Sequence, residues 1–117
     1  MRIAMPRGDI YYIQFTVSND EDSPEIDFDE IYFTVKKKYT DPHYLFQKRL
    51  TTGGIIKTDA NTYRIKISPE DTNNLPFSKP TDPYDFDIEL IYGNTIKTTL
   101  CGEFVLTKES TWASNEG

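Results

Sequence analysis

Residues 84–92 read Tyr-Asp-Phe-Asp-Ile-Glu-Leu-Ile-Tyr, with apolar side chains at 84, 86, 88, 90 and 92 and carboxylates at 85, 87 and 89. A period of two places these sets on opposite faces of an extended strand, whereas a helix would scatter the carboxylates around its cylinder. The segment is therefore a β-strand with one face against a core and one in water. Twelve Ile, fourteen Thr and sixteen aromatics against three Ala and six Leu extend the same bias to the whole chain. Branched and aromatic side chains suit a pleated, half-buried surface, so an all-β fold is expected.

The period recurs along the chain. In residues 9–17, Tyr11, Ile13, Phe15 and Val17 form one apolar row, with Gln14 and Thr16 opposite. Residues 30–37 repeat it with Ile31, Phe33 and Val35, and residues 63–67 with Tyr63, Ile65 and Ile67 against Arg64 and Lys66. Residues 44–50 are a weaker strand, with Phe46 and Leu50 inward and Gln47 and Arg49 outward. Gly53-Gly54 precede a short run of Ile55 and Ile56. Ser68-Pro69-Glu70-Asp71 has the form of a helix start: a serine cap, proline in the first turn and an acidic residue three after the serine. Asn73, Asn74 and Pro76 allow only about one turn to follow.

The last hairpin contains a conflict. A two-residue turn at Gly93-Asn94 pairs Tyr92 with Thr95, Leu90 with Lys97 and Ile88 with Thr99, wasting the apolar face of the returning strand. Pairing Ile88 with Leu100 and Tyr84 with Phe104 matches core to core. Either a longer loop or a two-residue turn followed by a bulge is required. Gly102 is a candidate for a second irregularity.

Seven candidate strands, one short helical turn and frequent turn signals predict an immunoglobulin-like antiparallel β-sandwich, with a closed barrel as the alternative. The expected core is Ile13, Phe15, Phe33, Val35, Tyr63, Ile65, Phe86, Ile88, Leu90 and Leu100. At 117 residues the chain fits one domain, expected over residues 1–111, with 112–117 a polar tail apart from Trp112. The single cysteine, Cys101, leaves no internal disulfide to stabilise the fold, so packing must do so. No stretch has the apolar length of a signal peptide or a membrane span, and a soluble protein made in the cytoplasm is expected.

A net charge of −6 argues against nucleic-acid or anionic-membrane partners, whose binding depends on positive charge meeting phosphate. The one cluster of positive charge, Lys36-Lys37-Lys38, reads more readily as a solvated strand end that discourages aggregation. His43 falls in a polar loop, far in sequence from Cys101, and no nucleophile elbow or phosphate loop is present. Cys101 reads as a small strand hydrophobe. Carboxylates are dense between residues 20 and 30, yet their spacing lacks the central glycine and distal glutamate of a calcium loop. No catalytic residue, metal or cofactor is therefore expected, and a small-molecule ligand is not favoured. The acidic row Asp85, Asp87 and Glu89 needs opposing cations, for which Lys36, Arg64, Lys66 and Lys97 are the candidates.

Certain phrases also carry a resemblance. Asp29-Glu-Ile-Tyr-Phe-Thr-Val-Lys-Lys37 is followed by Phe46-Gln-Lys-Arg-Leu50, Ile67-Ser-Pro-Glu-Asp-Thr72, Tyr84-Asp-Phe-Asp-Ile-Glu-Leu90, Gly102-Glu-Phe104 and Leu106-Thr107. This order, over about residues 8–111, resembles small tail-associated proteins of bacteriophages and prophages and the N-terminal domain of phage baseplate upper proteins. The resemblance implies a β-sandwich of virion architecture with a structural or adaptor role, located in the virion after assembly in the bacterial host cytoplasm. Pro76-Phe-Ser-Lys-Pro80 departs from the pattern before the acidic strand, and no receptor-binding domain is expected to follow. Partners would be other virion proteins or further copies of the chain. Tyr39, His43, Tyr44 and Arg49, on the weakest strand and its flank, are the expected interface, since aromatics and arginine dominate desolvated contacts. A carbohydrate-binding module is the alternative, with Tyr12, Tyr32, Tyr39, Tyr44 and Trp112 as stacking platforms.

Overall fold

A computed structural model of the chain describes residues 2–17, 27–76 and 82–107. These residues form eight strands and one helical turn. The strands are β1 (Arg2–Pro6), β2 (Tyr11–Thr16), β3 (Glu30–Lys36), β4 (Phe46–Arg49), β5 (Ile55–Asp59), β6 (Thr62–Ile67), β7 (Tyr84–Tyr92) and β8 (Thr95–Thr107), and α1 (Pro69–Thr72) lies between β6 and β7. The all-β expectation holds. The strands fall into two sheets rather than a closed barrel, one of order β1-β8-β7-β3-β4 and one of order β2-β6-β5.

The inward rows of both sheets meet in one cluster: Phe33, Phe86 and Phe104 from the larger sheet, Phe15, Tyr63 and Ile65 from the smaller. Rings set the spacing there, with Phe33 and Phe86 5.6 Å apart and Phe15 stacked on Tyr63 at 5.5 Å. Nine of the ten expected core residues are buried; Leu100 is only partly so. β1 pairs with β8 only from Glu103 onward, so at Leu100 the strand lacks that neighbour.

The final hairpin resolves its conflict by the second route. Tyr92 pairs with Thr95 across the two-residue turn and Leu90 with Lys97, after which the register shifts between Ile88 and Glu89. Beyond the shift Ile88 pairs with Leu100 and Tyr84 with Phe104. One extra residue thus restores apolar-to-apolar pairing. Gly102 sits in regular register opposite Phe86, so the expected second irregularity is absent there.

The N-terminal residues differ from expectation. β1 pairs in parallel with β8, Ile3 beside Phe104 and Met5 beside Leu106, which makes the larger sheet mixed instead of purely antiparallel and raises the strand number from seven to eight. Ile3, Ala4 and Met5 in a row before Pro6 are too short a pattern to declare a strand. The burial of Ile3 and Met5 depends on β8 offering them an edge. The helical turn starts where the cap signals place it: the Ser68 N–H donates to Asp71 Oδ2 at 2.7 Å, and Pro69 occupies the first turn. Thr72 is fully buried, and its Oγ1 accepts the Gly8 N–H at 2.9 Å, tying the β1–β2 connection to this turn. Lys48 Nζ reaches Asp71 Oδ2 at 2.6 Å, linking β4 to the same turn across the gap between the sheets. The proposed tail at 112–117 and the end of the domain at 108–111 lie outside the described residues.

Candidate functional site

Residues 37–45 join β3 to β4. The connection is pinned at its root, where the Leu45 N–H donates to the Val35 carbonyl at 2.7 Å, and near its tip, where the Asp41 N–H donates to the Lys38 carbonyl at 2.9 Å. Three of the four residues expected at an interface, Tyr39, His43 and Tyr44, are exposed on this one loop, Tyr39 at 76% and Tyr44 at 51%. The fourth, Arg49, is elsewhere. It closes β4 opposite Tyr32, with its guanidinium carbon 5.2 Å from the centre of that ring and its Nε–H donating to Gln47 Oε1 at 3.0 Å. The four residues therefore do not form one patch.

The loop is drawn towards the outer face of the larger sheet. The Tyr39 backbone N–H donates to Asp85 Oδ2 at 2.8 Å, and Lys38 Nζ pairs with Asp82 Oδ1 at 2.7 Å. The hydrogen bond to Asp82 holds the Lys38 ammonium above its usual range. Between the loop and β7 and β8 lies a cleft of about 420 Å³, lined by Tyr39, Asp85, Phe86, Asp87, Cys101, Gly102 and Glu103.

Charges in the cleft are unequally compensated. Glu103 is bonded to Arg2 across the β1–β8 pair, its Oε2 accepting from Nε at 3.2 Å. Asp85 accepts from Tyr39 and faces Lys36 across the β3–β7 pair. Asp87 lies between Thr34 and Cys101, and its Oδ1 is buried without a hydrogen-bond partner. Burial pushes its carboxyl above the usual range, and the Lys36 charge offsets only part of that. Thr34, its neighbour on β3, has its Oγ1 accepting from Gln47 Nε2 at 2.9 Å. The cleft thus offers a poorly solvated acceptor, a tyrosine wall and a thiol, an arrangement able to hold a hydrogen-bond donor or a cation.

Sequence reasoning found the acidic row but not the cleft. Of the four cations put forward to oppose the row, only Lys36 does so; Arg64 and Lys66 belong to the other sheet, and Lys97 pairs with Leu90. Cys101, read as a small hydrophobe, is exposed on the outer face opposite Asp87, because the bulge sets which face residue 101 takes. His43 is exposed in its loop as expected. Asp20, Glu21, Asp22 and Glu25 lie outside the described residues. Of the remaining acidic segment, Asp27 pairs with Lys57 at 2.8 Å, the Asp29 carboxylate accepts the Gly93 N–H at 2.6 Å, and Glu30 accepts from Thr51. Among the described residues no group of His, Cys, Asp and Glu is placed to hold a metal ion, and no helix is long and apolar enough to cross a membrane. Comparison with models of known protein families and with curated proteins finds no match.

Proposed function

We propose that the protein is a non-enzymatic structural component that works by protein–protein assembly, in a phage or prophage tail or baseplate, on an immunoglobulin-like sandwich. The orders β8-β7-β3-β4 and β2-β6-β5 correspond to the G-F-C-C′ and B-E-D strands of that topology. The Tyr84 hydroxyl, which donates to the Pro76 carbonyl at 2.7 Å, corresponds to the tyrosine that closes the corner between such sheets. The virion setting rests on the resemblance of the strand and corner phrases; partners are then other virion proteins or further copies of the chain.

The observation that carries the assembly reading is the β3–β4 loop. Its root and tip are tied by backbone hydrogen bonds, yet Tyr39 and Tyr44 stand in water, and Tyr39 walls an open cleft. Aromatic side chains held in place at little further entropic cost are what an interface uses as anchors. The test is mass-spectrometric detection of the protein in induced phage particles, with Tyr39→Ala/Tyr44→Ala alongside the wild type. The wild type should be incorporated, and the double variant should fold normally but be depleted from particles. Particles that assemble and infect normally without the protein would remove this reading.

A second reading, a carbohydrate-like ligand, is favoured by one feature: the cleft sets the Tyr39 wall against the carboxylates of Asp85, Asp87 and Glu103. Stacking plus carboxylate acceptors suits a polyhydroxylated ring. Of the other proposed platforms, Tyr32 and Tyr12 lie under Arg49 and Arg64, and Trp112 is outside the described residues. Amide shift changes confined to β7, β8 and the Tyr39 loop on titration with oligosaccharides would favour it over assembly.

A further inference from the structure

Among the described residues the two sheets end in four edge strands, and three are defended. β1 carries Arg2 and Pro6; β4 is four residues long and contains Lys48 and Arg49; β5 carries Lys57 and shifts register between Lys57 and Asp59. Charge, proline, shortness and bulges are the means by which soluble proteins keep open edges from pairing with another chain. β2 has none of them. It is six residues, Tyr-Tyr-Ile-Gln-Phe-Thr, without charge or proline, and its register against β6 is unbroken from Tyr11–Ile67 to Thr16–Thr62. Among the described residues its backbone pairs with β6 alone. Ile10 and Tyr12 beside this edge are 54% and 52% exposed.

We propose that β2 is a self-association edge, on which a second copy of the chain lays its own β2 antiparallel about a two-fold axis. The two three-stranded sheets then become one of six strands. This rests on the assembly reading above and names the partner and the edge. A second copy is the occupant because the strand is its own complement. With the axis at Ile13, that residue faces Ile13 of the second copy, Tyr11 faces Phe15, Tyr12 faces Gln14 and Ile10 faces Thr16. Every inward residue meets an inward one, and the same surface serves both copies, as a closed two-fold contact requires. No like charges are brought together on the pairing strands. Arg64 and Lys66 lie one strand further in on each side, and the Arg64 guanidinium reaches back over Tyr12 of β2, its carbon 5.0 Å from the ring centre, so each copy brings a cation already engaged with its own ring. Net charge of −6 on each copy remains as long-range repulsion, so the pairing strengthens as salt is raised.

The experiment is sedimentation equilibrium of the full chain from micromolar to submillimolar concentration. It compares wild type, the double variant Tyr12→Glu/Gln14→Glu and the control Ile56→Glu. In the double variant each new carboxylate faces a cation within its own copy, Lys66 or Arg64, which favours the fold, while across the two-fold axis the carboxylates face each other. Ile56 is equally exposed but lies on β5, the far edge of the same sheet. The expected result is a reversible wild-type dimer, association weakened by about tenfold or more in the double variant with an unchanged circular dichroism spectrum, and a control that dimerises like wild type. A wild type that stays monomeric throughout, a double variant that dimerises as tightly, or a control that loses the dimer equally would each overturn β2 pairing. Incorporation into particles separates the two readings: a monomer found in particles overturns β2 pairing alone, and a dimer absent from particles overturns the virion reading alone.

Discussion

On the inner side of the five-stranded sheet Phe33, Phe86 and Phe104 are sealed from water and lie 5.6 to 6.3 Å from other rings of the same sheet. On the outer side Lys36, Asp85, Glu103 and Arg2 meet across the sheet as charges, and Asp87 is the exception, with one carboxylate oxygen buried without a partner. Backbone and strand pairing are common to both sides, so the contrast isolates what the side chains contribute. Apolar contact inside gives stability in proportion to the volume buried, while charge outside is screened and contributes little wherever water still reaches it.

The largest effect that could break this contrast is at Phe33. Phe33→Ala leaves a cavity between Phe46 and Phe86 and should cost about 3–5 kcal/mol, read as a shift in the urea midpoint at constant slope. A cost near 1 kcal/mol would mean that the core collapses around the gap and that the inner side is less tightly packed than its ring spacings indicate.

Glu30, on the outer rim of β3, is next. Burial raises its pKa, but hydrogen bonds from the Thr51 side chain and backbone and from the Ile31 and Leu50 amides outweigh it and hold the carboxyl below the usual range. Its contribution is therefore present above the unfolded-state pKa and is lost as pH falls through the lower folded-state value. Glu30→Gln should cost about 1 kcal/mol at neutral pH, reduced by solvent exposure, and should flatten that part of the acid-unfolding curve. An unchanged acid profile would place the rim among ordinary surface charge.

Asp87 has the opposite sign. Its folded-state pKa is raised, so protonation favours the folded protein: the charged group destabilises at neutral pH, and the penalty is relieved as pH falls through the raised value towards the unfolded one. Asp87→Asn should raise Tm at pH 7 by a small amount, about 0.5 kcal/mol in stability, and the gain should shrink on acidification through that window. A loss of stability at pH 7 would show that the carboxylate is satisfied and that the cleft is not short of a donor.

Least is expected of Lys38→Ala. Both members of the Lys38–Asp82 pair stand largely in water, and thermal melts of the variant and wild type should coincide. A measurable loss would reveal that the pair positions the Tyr39 loop.

The alternation of residues 84–92, the rows at 11–15, 31–35 and 63–67, the one-turn helix behind Ser68 and the need for either a longer loop or a bulge at the Gly93-Asn94 turn were all legible in the sequence. Each follows from a period or a dihedral preference spanning a few neighbouring residues. The candidate site was legible only in its parts. Tyr39 and the acidic row could be named, but that the β3–β4 loop is held against Asp85, that Cys101 stands opposite Asp87 and that Arg49 is set apart beside Tyr32 depend on which strands became neighbours. Strand pairing is a choice among several partners of similar apolar pattern, made by the free energy of the whole core rather than by any local segment. For the same reason β1 joined β8 in parallel, Arg64 and Lys66 fell on the other sheet from the acidic row, and one carboxylate oxygen of Asp87 was left buried without a partner. Inside and outside were decided residue by residue along the chain. Which outside faces which, and how much water each retains, was decided when the two sheets closed.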